Sequence, residues 1–311
     1  MQPQTATPTP PPPPPPPPTQ AQALTITTDD GFTLSGQLYG NPAEARAALL
    51  IAPAMGVAQS YYAPFARWLV SQGFVVLSFD YRGMGQSRPA EHRHSLRGFD
   101  ADIHTWGQRD AAAALATLDG LLPATQASPT PIHWLGHSLG GQIFGLVPNR
   151  DRVARMVTIG TGSGYWLENA AQLKRMVWWL WFFVVPVVLP LAGYFPGKRL
   201  KKVGDLPAGV MSQWRRWCLH RDYMMGEGGA ALREQYARIR TPILSVSFTD
   251  DEFMSERNTE SLHGFYAGAP RTMKRIAPAD VGERRIGHFG FFRPQFQATL
   301  WPQVSGFLSA S

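Results

Sequence analysis

A single cysteine, Cys218, in 311 residues leaves no partner for an internal disulfide and no basis for a cysteine-rich metal site. That suits a reducing compartment, and Cys218 itself is expected as a small packed apolar group. Charge is sparse, at 16% of residues against 44% hydrophobic, which marks a globular chain. Lys and Arg outnumber Asp and Glu by 29 to 22. No nucleic-acid-binding motif accompanies that excess, so no nucleic-acid partner is expected. The basic start and apolar stretch of a secretory signal are lacking too. The expected place is therefore the cytoplasm, with room for peripheral contact with a membrane. His92 and His94, spaced around a polar loop, are too slight a basis for a metal site, and no internal repeat is present.

What is present begins with proline. Residues 1–22 carry an unbroken run from Pro10 to Pro18, a composition that forms polyproline II and cannot bury a core, so an exposed disordered tail is expected there. From residue 23 to 311 the chain reads as one domain. Alternating residues around Asp29-Asp30-Gly31 predict an opening hairpin. Strands are expected at 48–52, 74–79, 131–135, 153–159, 242–248 and 272–277, and helices at 61–72, 105–118, 139–146, 258–266 and 296–308, with Gly120 able to end the second of the helices. Short apolar strands interleaved with helices imply an α/β fold, a mostly parallel sheet covered on both faces. The alternation is interrupted at about 161–239 by an insertion rich in Trp, Phe, Pro and Arg.

The strand at 131–135 runs into Gly136-His137-Ser138-Leu139-Gly140, followed by a plausible helix. A Gly-x-Ser-x-Gly match alone is a moderate signal, and the strand before it and helix after it raise it sharply. Side chains at Gly136 and Gly140 would collide with neighbouring backbone in so tight a turn, which holds Ser138 at the carboxyl edge of the sheet, before a helix N-terminus that favours negative charge. A serine hydroxyl needs a base within reach. Of eight histidines, His288 fits best, in a Gly287-His288-Phe289-Gly290 loop beyond the last strand. The acid that orients it should follow the strand at 242–248, where Thr249-Asp250-Asp251-Glu252 stands. Asp251 is expected to take the role by its spacing into the next helix, with Asp250 the alternative and Glu252 third. Acyl transfer also needs two backbone amides at the oxyanion: Leu139 after the nucleophile, and Met55 beyond the strand at 48–52, with Ala54 the alternative.

These motifs, with Asp80-Tyr81-Arg82-Gly83-Met84-Gly85-Gln86-Ser87, make the chain resemble the α/β-hydrolase superfamily over residues 24–308, and within it the serine aminopeptidase and monoacylglycerol lipase-like bacterial serine hydrolases. The resemblance supports the same serine, acid, histidine and oxyanion positions. The departure is Pro53-Ala54, where the family has His-Gly. The expected function, from the triad with the aromatic insertion, is hydrolysis of carboxylic esters of apolar acyl groups or alcohols, with an amidase or aminopeptidase, or a non-catalytic membrane-associated protein on the same scaffold, as alternatives. No cofactor is expected, and the partner is a small apolar ester. The glycine cluster 160–164 lacks a P-loop lysine and reads as a flexible lead into the insertion. Residues 176–195 carry no charge and are long enough to span a bilayer. Pro186 and Pro190 are expected to interrupt a helix there, and a span would part Ser138 from His288, so a lid over the pocket is expected, with Trp178, Trp179 and Trp181 meeting substrate. The flanks Lys174-Arg175 and Lys198-Arg199-Leu200-Lys201-Lys202 suit an anionic membrane surface.

Overall fold

The computed structural model describes residues 21–124, 129–200 and 204–310. The proline run lies outside these residues, as do Lys201 and Lys202. The first strand, β1 (Gln22–Thr27), pairs antiparallel with β2 (Thr33–Tyr39) around the Asp29-Asp30-Gly31 turn, Ile26 opposite Leu34. The sheet therefore begins at Gln22, the last residue assigned to the tail. There follow β3 (Ala47–Ala52), β4 (Phe74–Phe79), β5 (Ile132–His137) and β6 (Val153–Ile159), then a two-stranded ribbon, β7 (Tyr194–Phe195) with β8 (Leu206–Pro207), and finally β9 (Ile243–Phe248) and β10 (Arg271–Ile276). The main sheet has eight strands in the order β1-β2-β4-β3-β5-β6-β9-β10, parallel from β4 onward. Every residue of β3, β4, β5 and β9 is buried, as central strands covered on both faces must be.

Two cores form, one on each face. One packs Phe65 and Leu69 of the helix Ala63–Ser71 with Trp301 and Val304 of the closing helix Trp301–Ser309. The other packs Trp106, Leu115 and Trp134 with the insertion's Trp181, Trp217 and Tyr236. The closing helix starts later than its expected 296, because Pro294–Phe296 forms a separate 3-10 turn. The helical run beginning at Ile103 continues through Gly120 to Leu121, so glycine does not end it. Pro123 does, by forcing Leu122 into extended backbone (φ −80°, ψ 146°).

The insertion crosses from β6 to β9. Its longest helix, Ala171–Ala192, is continuous across both prolines, contrary to the interruption expected of them. A wide π-turn at Leu180–Val184 immediately precedes Pro186, so the proline falls where the regular i to i−4 ladder has already been reset. The glycine cluster is also less free than expected. Residues 160–164 are buried, with the Ser163 amide donating to Asn258 O at 2.7 Å.

Candidate active site

Because β3, β5, β6 and β9 run parallel, their carboxyl ends share one edge, and the candidate side chains leave from that edge. Ser138 follows β5 at φ 52°, ψ −112°, a conformation that an L-residue adopts only when its surroundings enforce it. Here they do: a Cβ at Gly136 would stand 2.3 Å from Gly141 N, and one at Gly140 would stand 2.0 Å from Ala52 O. The turn is thereby pressed onto the end of β3. The Ser138 amide donates to Ile159 O at 2.9 Å, and the Thr161 hydroxyl donates to Ser138 O at 3.0 Å. The helix that follows is shorter than expected, one turn at Leu139–Gln142 continuing as a 3-10 turn. Tyr266 and Tyr236 donate to the carbonyls of Gly141 and Gln142, so this stub is fixed by side chains and contributes little macrodipole.

The three acidic residues after β9 divide their work. Asp251 Oδ2 accepts from His288 Nδ1 at 2.8 Å, while its Oδ1 accepts from the amides of Phe253 and Met254, each at 2.8 Å. Asp250 turns to the backbone before the histidine and accepts from Ile286 N and Gly287 N. Glu252 accepts from the amide of His288 itself at 3.1 Å. Sequence reasoning set Glu252 aside and missed this role; the only signal was its adjacency to the other two. His288 lies in a one-turn helix, Gly287–Gly290, rather than an open loop, and is 3% exposed.

With Nδ1–H given to Asp251, the free lone pair of His288 is on Nε2. Among the described residues no hydrogen bond joins the Ser138 hydroxyl to it, His288 being held through Nδ1. The two loops are held together by backbone. His137, next to Ser138, places Nε2 at 3.1 Å from His288 O, and its Nδ1 meets the Tyr62 hydroxyl at 3.0 Å. Burial, then the neighbouring His288, drives the His137 pKa well below its usual value, so the ring is neutral. Gly160 lies beneath the pair, where a Cβ would stand 3.3 Å from His288 Nδ1 and 3.4 Å from Asp251 Oδ2.

On the oxyanion side, the Ala54 amide is already donated to the Tyr62 hydroxyl at 2.8 Å. Among the described residues that leaves Met55 as the uncommitted amide of the two candidates in the Pro53-Ala54-Met55 turn. A cavity of about 460 Å³ opens beside it, lined by Met55, Leu173, Val177, Trp181, Phe253 and Phe289, among others. Ser138 does not itself line this space; the cavity meets the site through Met55 and through Phe253 and Phe289, whose rings stand 5.0 and 4.9 Å from that of His288. Cys218 is another wall residue, its thiol pushed up in pKa by burial. Of the three tryptophans, Trp181 reaches the cavity and is 2% exposed, whereas Trp178 and Trp179 stand on the outer face at 39% and 57%.

A family profile described as serine aminopeptidase, S33, matches residues 43–280. No curated protein matches by sequence. Among solved structures, a soluble variant of monoglyceride lipase from Saccharomyces cerevisiae, bound to a substrate analogue, superposes with a TM-score of 0.65 at 14% identity, covering 93% of this chain and 94% of its own. A thermostable carboxyl esterase from Bacillus coagulans gives 0.60 at 12% identity, over 93% and 97%. An esterase from Pyrococcus furiosus gives 0.54 at 13%, over 93% and 90%. At such identities the likeness is one of fold.

Proposed function

The chain belongs to the serine aminopeptidase S33 family of α/β-hydrolases, and from that footing we propose that it is a serine hydrolase cleaving carboxylic esters of apolar acyl groups or alcohols. The observation that carries this reading is the apolar cavity walled by Met55 on one side and by the ring neighbours of His288 on the other. An acyl chain laid in it would bring its carbonyl toward the turn that carries Met55 and toward the rings beside His288.

The mechanism uses this chain's own groups and water. His288 Nε2 takes the Ser138 proton as the oxygen attacks the ester carbonyl, Leu139 and Met55 amides receive the oxyanion, and Asp251 holds the imidazolium. His288 returns the proton to the departing alcohol. Water, deprotonated by His288, then attacks the acyl carbon, and His288 passes that proton to the departing Ser138 oxygen, so that the acid is released and the serine restored. An amide substrate is the second reading, favoured by the description of the family profile.

Fluorophosphonate labelling of wild type and Ser138→Ala tests the nucleophile: labelling should vanish and turnover fall on the order of 10⁴-fold in the variant. Undiminished labelling of the variant would remove the assignment. Rates on esters of graded chain length against aminoacyl anilides decide between ester and amide.

A further inference from the structure

Surface helices of globular proteins turn charged and polar residues to water. The helix Ala171–Ala192 does the opposite. It lies along the domain with Leu173, Val177, Trp181 and Val185 buried beneath it, yet from residue 176 onward every exposed position is apolar, including Trp178, Trp179, Phe182, Phe183, Val187 and Leu191. Among the described residues, nine of the eleven large hydrophobics that stand exposed fall between residues 167 and 200, so the patch is one surface and not a scatter.

Charge identifies the occupant. Lys174, Arg175, Lys198 and Arg199 flank the patch, and none of their side chains pairs with a carboxylate among the described residues. A second copy packed symmetrically on this face would set those cations against their own counterparts. Residues 1–20 carry no charged side chain and offer them nothing. A shallow cleft of about 320 Å³ gathers Lys174 and Arg175 with the indoles of Trp166, Trp178 and Trp179, the combination found at the headgroup level of membrane proteins. Beside it, a cavity of about 310 Å³ lined by Trp179, Val184 and Leu200 shares Met176, Leu180 and Phe195 with the cavity at the active site. The apolar surface thus continues inward from the patch.

We propose that the outer face of this helix docks the protein flat on an anionic phospholipid surface, with the basic and indole residues among the headgroups and the cavity mouth turned to the acyl chains. The helix does not span, because its inner stripe is committed to the domain core. Use of the mouth by substrate rests on the ester-hydrolase reading; docking does not.

Sedimentation of the full-length protein with vesicles of phosphatidylcholine, with and without phosphatidylglycerol, tests this at low and high salt. Wild type should bind the phosphatidylglycerol vesicles several-fold better, and the gain should disappear in high salt, where the headgroup attraction is screened. Phe183→Glu with Leu191→Glu, both exposed and outside the walls of the three cavities named above, should lower binding roughly ten-fold while hydrolysis of a water-soluble butyrate ester holds. Absence of vesicle binding, or equal binding by wild type and this double variant, overturns the proposal. So does a lipid-free wild-type dimer that the double variant reduces to a monomer without any vesicle binding, which would assign the face to a second copy. Vesicle binding that responds to the substitutions in a protein that fluorophosphonate does not label would uphold docking and refute the hydrolase reading.

Discussion

The Tyr62 hydroxyl and His137 Nδ1 meet at 3.0 Å, joining the turn after β3 to the residue before Ser138. Because His288 O can only accept, the neutral His137 ring carries its proton on Nε2; its Nδ1 is then an acceptor, so the Tyr62 hydroxyl, which itself accepts from the Ala54 amide, donates to it. One directed chain of hydrogen bonds therefore sets the Pro53-Ala54-Met55 turn, the Ser138 turn and the His288 segment in common register. Tyr62→Phe should lower kcat by roughly ten-fold with KM little changed, since an oxyanion amide shifted out of line acts on the transition state. A change in KM alone, or none in either constant, would reduce the pair to packing.

Among the acids, Asp251→Asn should cost most, on the order of 10³ to 10⁴ in kcat, by reversing the hydrogen-bond demand at His288 Nδ1. Asp250→Asn, which touches only backbone amides, should instead lower the melting temperature and leave most of kcat. The two variants, measured for both quantities, should separate cleanly; an equal loss of kcat would mean that Asp250 also acts on the imidazole.

For substrate choice, kcat/KM should climb with acyl length until the cavity is filled, each buried methylene contributing about 0.8 kcal/mol. Trp181→Ala should flatten that climb more than it lowers hydrolysis of acetate esters. Trp178→Ala and Trp179→Ala, outward in the structure, should alter it less. Equal rates of the wild type on acetate and octanoate would count against an acyl-binding cavity.

Acid should weaken the fold through its buried histidines. His263 is sealed between the Thr158 hydroxyl and Thr259 O, and burial lowers its pKa to about 4. The unfolded chain takes up a proton near 6.5 while the folded one refuses it, so stability is full above 6.5 and falls as pH drops toward 4, at about 1.4 kcal/mol per unit for one such group. His133, also lowered to about 4 by burial, adds to the slope. Denaturant unfolding between pH 7 and pH 5 should show the loss, and His263→Gln should show less of it. A slope identical in the variant would exclude His263 as its source.

The strands could be read from the sequence because fully buried parallel strands leave continuous apolar runs, and the elbow because its glycines are demanded by contacts only a few residues away. What periodicity hides is longer in range. Tyr62 and His137 are 75 positions apart, and nothing in either neighbourhood announces the other. Glu252 was passed over because its partner is a backbone amide, which every residue has. The split of Trp181 from Trp178 and Trp179 was also out of reach, since it depends on the helix's phase against the domain, to which the π-turn at Leu180–Val184 adds.

The route of the insertion limits how the protein can be altered. β6 and β9 are parallel neighbours, so a chain leaving Ile159 at one edge must return to the opposite edge before it can enter Ile243. The helical segment Met225–Ala237, kinked at Gly229 (φ 62°, ψ −154°), belongs to that return and is anchored by Gln235 and Tyr236 on the carbonyls of Gly145 and Gln142. Residues 165–222 are tied in as well, since Trp181 and Trp217 fill the core on that face and Gln213 Oε1 accepts from the amides of Ile103 and His104. Removing 161–239 outright would leave the last two strands on the wrong side of their own sheet.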